Sequence, residues 1–154
     1  MGEVRIYIET EYNGNPACGK GKYYVVLETT CSNGEIATRE IIGGVKETTK
    51  NRLAIIAINK ALERFTKESE IVIYCNNSYV METLDQGRYI TWIENGWRVR
   101  NKEIKNKDLW LRFVELAQEH NIIPQLVRTH AYTAVLRTML DKAIVEYEED
   151  KKED

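Results

Sequence analysis

The chain is poor in the residues that staple or interrupt a fold. It has three cysteines, Cys18, Cys31 and Cys75, and no C-x-x-C pair. Neither a zinc site nor a disulfide framework is therefore encoded, and the expected setting is a reducing cytoplasm. With only two prolines and nine glycines, it does not read as a linker-rich or low-complexity chain. No apolar run approaches the roughly 20 residues that cross a bilayer. Glu3 leads directly into strand-like alternation, not into a basic stretch followed by an apolar one, so no signal peptide and no membrane partner are expected. An excess of one charge is missing as well. The 22 Lys and Arg against 24 Asp and Glu leave a formal net charge of −2, which excludes a protein that coats nucleic acid through bulk charge. Contact with a polyanion must rest on a local patch.

What is present is an ordinary hydrophobic fraction of 43%, enough for one core. Val4, Ile6 and Ile8 alternate with Arg5, Tyr7 and Glu9, the period of a half-buried strand. A polar, turn-rich segment follows over residues 12–21. Residues 22–31 and 36–42 read as two further strands joined by Asn33-Gly34, a two-residue hairpin signal. Thr48 or Thr49 can cap a helix striped by Ile55, Ile58, Leu62 and Phe65. Residues 71–75 form a short apolar run, as in a buried parallel strand. Residues 77–85 read as a short helix and 87–107 as irregular. Asn106 can cap a helix carrying Leu109, Trp110, Phe113, Leu116 and Ala117. Residues 124–128 are a last strand, and Thr133 starts a final helix striped by Leu136, Met139, Leu140, Ala143 and Tyr147.

The order β-β-β-α-β-α-α-β-α predicts an α/β fold. Its sheet is five-stranded and mixed, three antiparallel strands followed by parallel ones, with helices on both faces. Right-handed crossovers place the fourth strand parallel to the first and beside it. Their carboxyl ends then frame a crevice of the kind that binds ligands, with Glu9 and Asn76 at its rim. Residues 1–145 form this domain. Residues 146–154 carry six acids against Lys151 and Lys152 and are expected to be an acidic tail, a frayed helix end.

Six segments, in order, resemble the ribonuclease HI family. Glu9 followed by Gly14-Asn15-Pro16 resembles its first strand and loop, where the family has Asp. Thr48-Thr49-Lys50-Asn51-Arg52-Leu53-Ala54 resembles its T-x-N-R-x-E helix start. Tyr74-Cys75-Asn76-Asn77-Ser78-Tyr79-Val80 resembles T-D-S-x-Y-V. Trp92-Ile93, Gly96-Trp97, Val99 and Lys105-Asn106-Lys107-Asp108-Leu109-Trp110 resemble its basic handle and the helix after it. Val127 to Ala131 resembles V-x-G-H-x-G, with Thr129 in place of the first glycine. Asp141 stands about one residue from the last family acid.

The resemblance implies an RNase H-like fold, an RNA–DNA hybrid as partner, and cleavage of its RNA strand by two Mg²⁺ ions (or Mn²⁺) held by four carboxylates. Here those four positions read Glu9, Ala54, Asn76 and Asp141, so two acids are missing. In some divergent relatives the first acid stands two residues later, which makes Glu11 the alternative to Glu9. Glu9 and Asp141 are the candidate metal ligands, and Glu9, Glu11, Asn76, Asp141 and His130 the candidate catalytic set. His130 would assist proton transfer or product release. Against this, Asp141 also reads as the i, i+4 ion-pair partner of Arg137, Glu9 and Glu11 as solvated rim residues, and His130 as an ordinary loop histidine.

The resemblance also implies groove contacts from Asn15, Asn51 and Ser78 and a phosphate pocket near Thr49 and Arg52. Residues 88–108 hold six bases, including Arg98, Arg100, Lys102 and Lys105, against three acids. Interleaved with Trp92 and Trp97, they can grip a sugar–phosphate backbone. The other reading makes both tryptophans core and the bases a solvated loop. The leading functional expectation is a nucleic-acid-binding protein that recognises RNA–DNA hybrid or a related duplex, with hydrolysis weak or lost. The alternatives are an active metal-dependent hybrid endoribonuclease with a rearranged site, and a protein-interaction module that keeps only the scaffold.

Overall fold

The computed structural model of the chain describes residues 2–14 and 19–150. Three long strands open it: β1 (Gly2–Gly14), β2 (Gly19–Thr30) and β3 (Ile36–Thr48). Helix α1 (Lys50–Leu62), strand β4 (Ser69–Cys75), and helices α2 (Ser78–Asp85) and α3 (Arg88–Glu94) follow. A short ribbon, β5 (Arg98–Val99) with β6 (Lys102–Glu103), leads to α4 (Lys107–Ala117), β7 (Asn121–Leu126), α5 (Thr133–Lys142) and β8 (Tyr147–Glu149). The main sheet runs β7-β4-β1-β2-β3-β8. β1, β2 and β3 pair antiparallel, while β4 lies parallel to β1, β7 to β4 and β8 to β3. The mixed sheet and the adjacency of β1 and β4 are as expected.

Strand alternation divides the core in two. Ile6, Ile8, Val25, Ile71 and Ile73 face α1, α2 and α4 in the larger cluster. Helix α1 meets them with Leu53, Ile55, Ile58 and Leu62, and its alanines at 54, 57 and 61 let it approach the sheet closely. Each large aliphatic buried there contributes roughly 1.5–3 kcal/mol. The opposite face is smaller and more polar: Tyr7, Tyr24, Val26, Leu136 and Leu140, with Tyr74 and Tyr132 against them. Tyr7 stacks on Tyr74 at 4.8 Å. The Glu28 carboxylate accepts from Arg5 Nε at 2.7 Å and from the Tyr132 hydroxyl.

The structure departs from the sequence reading in four places. The sheet has six strands, because the expected acidic tail supplies β8: Tyr147, Glu148 and Glu149 pair with Gly44, Val45 and Lys46. No frayed helix end is seen there, and the domain runs past residue 145. Residues 87–107 are ordered as α3 and the β5–β6 ribbon, whose turn residues Arg100 and Asn101 both have positive φ (52° and 63°), as a two-residue type I′ turn requires. The β2–β3 hairpin has a three-residue loop, Ser32 to Gly34, closed by Cys31 N–H to Glu35 O at 2.7 Å, with Gly34 at φ 85°. Finally, β1 extends through Gly14 where a turn-rich segment was expected.

Candidate functional site

Glu9 lies two residues past the Tyr7–Tyr74 pair of β1 and β4, so continuing that register brings it beside Asn76. Alternation turns it to the α5 face with Tyr7, and it is only 2% exposed. Both carboxylate oxygens are engaged by the chain. Oε2 accepts from Thr133 Oγ1 at 2.9 Å and lies 2.9 Å from His130 Nε2. Oε1 accepts from Arg137 Nε at 3.0 Å. His130 Nδ1 accepts from the Tyr132 N–H at 3.2 Å, so Nε2 carries the hydrogen and donates towards Glu9. Thr133 accepts from the His130 N–H at 2.8 Å and passes its own hydrogen to Glu9. Burial pushes the Glu9 carboxyl up, but hydrogen bonds from His130, Thr133 and Arg137 outweigh it and hold it below the usual carboxylate range.

The other candidate acids stand apart from this pocket. Glu11, half-buried, lies 3.6 Å from Lys22, whose Nζ also donates to the Leu140 and Ala143 carbonyls at the end of α5. Asp141 is exposed on α5. Arg137, expected as its ion-pair partner, turns instead to Glu9. Glu11, Asp141 and Arg137 share a recess of about 500 Å³ with Thr10, Thr138 and Leu140. Asn76 is exposed just after β4, and Ala54 is buried in the core. Among the described residues no group of three or more His, Cys, Asp or Glu side chains is placed to hold a metal. The two Mg²⁺ ions implied by the resemblance do not fit these residues: the one buried acid has its oxygens engaged, and two of the four positions carry no charge.

The residues expected at the nucleic-acid surface fall into two groups. Thr49 caps α1 by accepting from Arg52 N–H at 3.2 Å. Asn51 accepts from Asn77 Nδ2 at 3.0 Å, and Asn77 caps α2 through Val80 N–H at 2.9 Å. Arg52 is 5% exposed and closed by the protein itself. It donates to Asp108 at 2.9 and 2.7 Å, to Asp150 at 2.7 and 2.8 Å, and to Asn106 Oδ1 at 3.3 Å. Asn106 therefore serves Arg52 and makes no side-chain cap for α4. Ser78 is exposed at the start of α2. Asn15 lies outside the described residues.

In the handle, Trp92 and Trp97 are half-buried against the larger core, with Trp92 5.9 Å from Trp110 and 6.2 Å from Trp97 between ring centroids. Their rings serve packing, while Arg98, Arg100, Lys102 and Lys105 stay exposed around them. Arg98 also donates to the Asn101 carbonyl. Sequence reasoning missed Thr133, Arg137, Lys22 and Asp150. The available signal was spacing: Thr133 and Arg137 are four apart on one helix and share a face.

The model of the family RNase H matches residues 1–147. The chain is 34% identical over 129 residues to a Ribonuclease H of Lachnoclostridium phytofermentans, covering 83% of the chain and 81% of that relative. It is 37% identical over 131 residues to one of Syntrophus aciditrophicus, covering 84% and 71%. Among solved structures it superposes on LC9-RNase H1, described as a type 1 RNase H with the type 2 active-site motif, with a TM-score of 0.76 at 22% identity, covering 92% of the chain and 73% of that protein. A foamy viral protease-reverse transcriptase solved in complex with RNA/DNA hybrid gives a TM-score of 0.60 at 15% identity, over 92% of the chain and 19% of that protein. On the family match and the identity to these relatives, the chain belongs to the RNase H family.

Proposed function

We propose that this RNase H family member binds an RNA–DNA hybrid or a related duplex and that its hydrolytic activity is weak or lost. The observation that carries the second half is the state of Glu9, whose two oxygens take three donors from α5 and the loop before it. Three of the roughly four acceptor sites of this carboxylate are taken, so it has at most one to give a hard cation, and the chain offers no acid at Ala54 or Asn76 to share the load. The first half is supported by the exposed bases of the handle, by the fold, and by the hybrid-bound foamy viral relative. Curated relatives bearing the name Ribonuclease H favour a second reading, an active hybrid endonuclease whose site rearranges when metal and substrate arrive.

Fluorescence anisotropy with a labelled hybrid, beside a cleavage gel, tests both. The expected result is saturable binding at about 50 mM salt, where phosphate contacts are strongest, and no Mg²⁺-dependent product. Absence of binding at that salt rejects the proposal. Cleavage that needs Mg²⁺ or Mn²⁺ and disappears in the Glu9→Ala, Glu11→Ala double variant selects the second reading.

A further inference from the structure

Against its buried acid this chain sets a guanidinium. Arg137 reaches Glu9 through Nε alone, at 3.0 Å. Among the described residues its two Nη groups have no partner, and its side chain is 53% exposed while that of Glu9 is 2% exposed. A carboxylate sealed in this way cannot be neutralised by solvent ions, so the arginine that caps it is held in one place by a strong charge-assisted bond. The free Nη edge then faces the recess of about 500 Å³ that Thr10 and Thr138 also line.

We propose that Arg137, seated by Glu9, binds a backbone phosphodiester in this recess, and that the crevice engages nucleic acid without a divalent ion. Charge supports the assignment. Four carboxylates would repel a phosphodiester unless cations came between them. Here Ala54 and Asn76 are uncharged, Glu9 is offset by Arg137, and Glu11 by Lys22 at 3.6 Å. Asp141 alone remains in the lining of the recess without an ion-pair partner among the described residues, and it is exposed, so water screens it. A guanidinium presenting its paired Nη groups matches two oxygens of a phosphate.

This inference rests on the reading that the protein binds a duplex, and the experiment separates the two. Hybrid binding by the full chain is measured across a NaCl series, in Mg²⁺ and in EDTA. Wild type is expected to bind equally well in both, within about twofold. Arg137→Gln is expected to weaken binding by about tenfold at low salt and to reduce the log–log salt slope by about one, the signature of one lost phosphate contact. Arg137→Lys, which keeps the charge, should recover most of the slope. Because Arg137→Gln strips a buried anion of its partner, Glu9→Gln is compared with the Glu9→Gln, Arg137→Gln pair, which buries no charge, and the same loss of slope is expected between them. Unchanged affinity and slope on removing Arg137, in either background, overturns the assignment. So does wild-type binding that falls more than about tenfold in EDTA. No wild-type binding under any condition rejects the duplex reading itself.

Discussion

Glu9 is buried where water would ordinarily keep a carboxylate charged, and three donors from one loop and helix do so instead. Its carboxyl sits below the usual range, as do those of Glu28, drawn down by Tyr132 and Arg5 against the opposing effect of burial, and Asp108, drawn down by Arg52 against burial. A group depressed in the folded state stabilises above its unfolded pKa, about 4. That stability is lost as pH falls through the folded value. The urea midpoint should therefore be flat from neutral pH to about 5 and fall steadily below, and Glu9→Gln should make the fall shallower. Thr133→Val removes the hydroxyl that links the His130 N–H to Glu9 and leaves two buried groups short of a partner. It should cost about 1–3 kcal/mol in chemical denaturation. The position of Glu9 was legible because a strand of period two fixes which residues share a face. The role of Arg137 was not, since a lone arginine on an amphipathic helix reads as solvent-facing, and only the packing of α5 across β1 shows what it meets.

At the scale of elements, Arg52 holds three of them together. From α1 it reaches Asp108 at the start of α4 and Asp150 just past β8, and Thr48 at the end of β3 donates to the same Asp150 at 2.7 Å. Replacing Arg52 with Met leaves two largely buried carboxylates facing each other and should cost about 3–5 kcal/mol, read as a lowered urea midpoint. Asp150→Asn should cost less, and the two changes should be non-additive by about 1 kcal/mol or more in a double-mutant cycle. Gly44 supplies the space for β8: a Cβ there would lie 2.7 Å from Val145 and 2.8 Å from the Tyr147 ring. The strand was missed in the sequence because its charge density reads as solvated tail. Its pairing with β3 and the insertion of Asp150 against Arg52 are contacts about 100 residues apart, and no local pattern encodes them.

Across the whole molecule, charge is balanced rather than abundant. Arg98, Arg100, Lys102 and Lys105 are exposed on the handle, while Glu148 and Glu149, exposed on β8, lie 3.6 Å from Lys60 and 3.8 Å from Lys46. If the handle carries backbone contacts, neutralising Arg98, Arg100 and Lys102 to Gln should weaken hybrid binding at every sequence alike and reduce the salt slope by about two to three, with thermal stability changed little because these side chains are exposed. The sequence alone determined the order of strands and helices, the two faces of each strand, the crevice at the ends of β1 and β4, and the absence of acid at positions 54 and 76. All of these follow from periodicity, turn chemistry and residue identity, which are local. Tertiary structure decided that Glu9 is capped by Arg137, that Arg52 is an internal ion-pair hub and that residues 147–149 add an edge strand to the sheet. Those depend on which charges meet once water is excluded, and a charge reads the same in sequence whether its partner is solvent or another side chain.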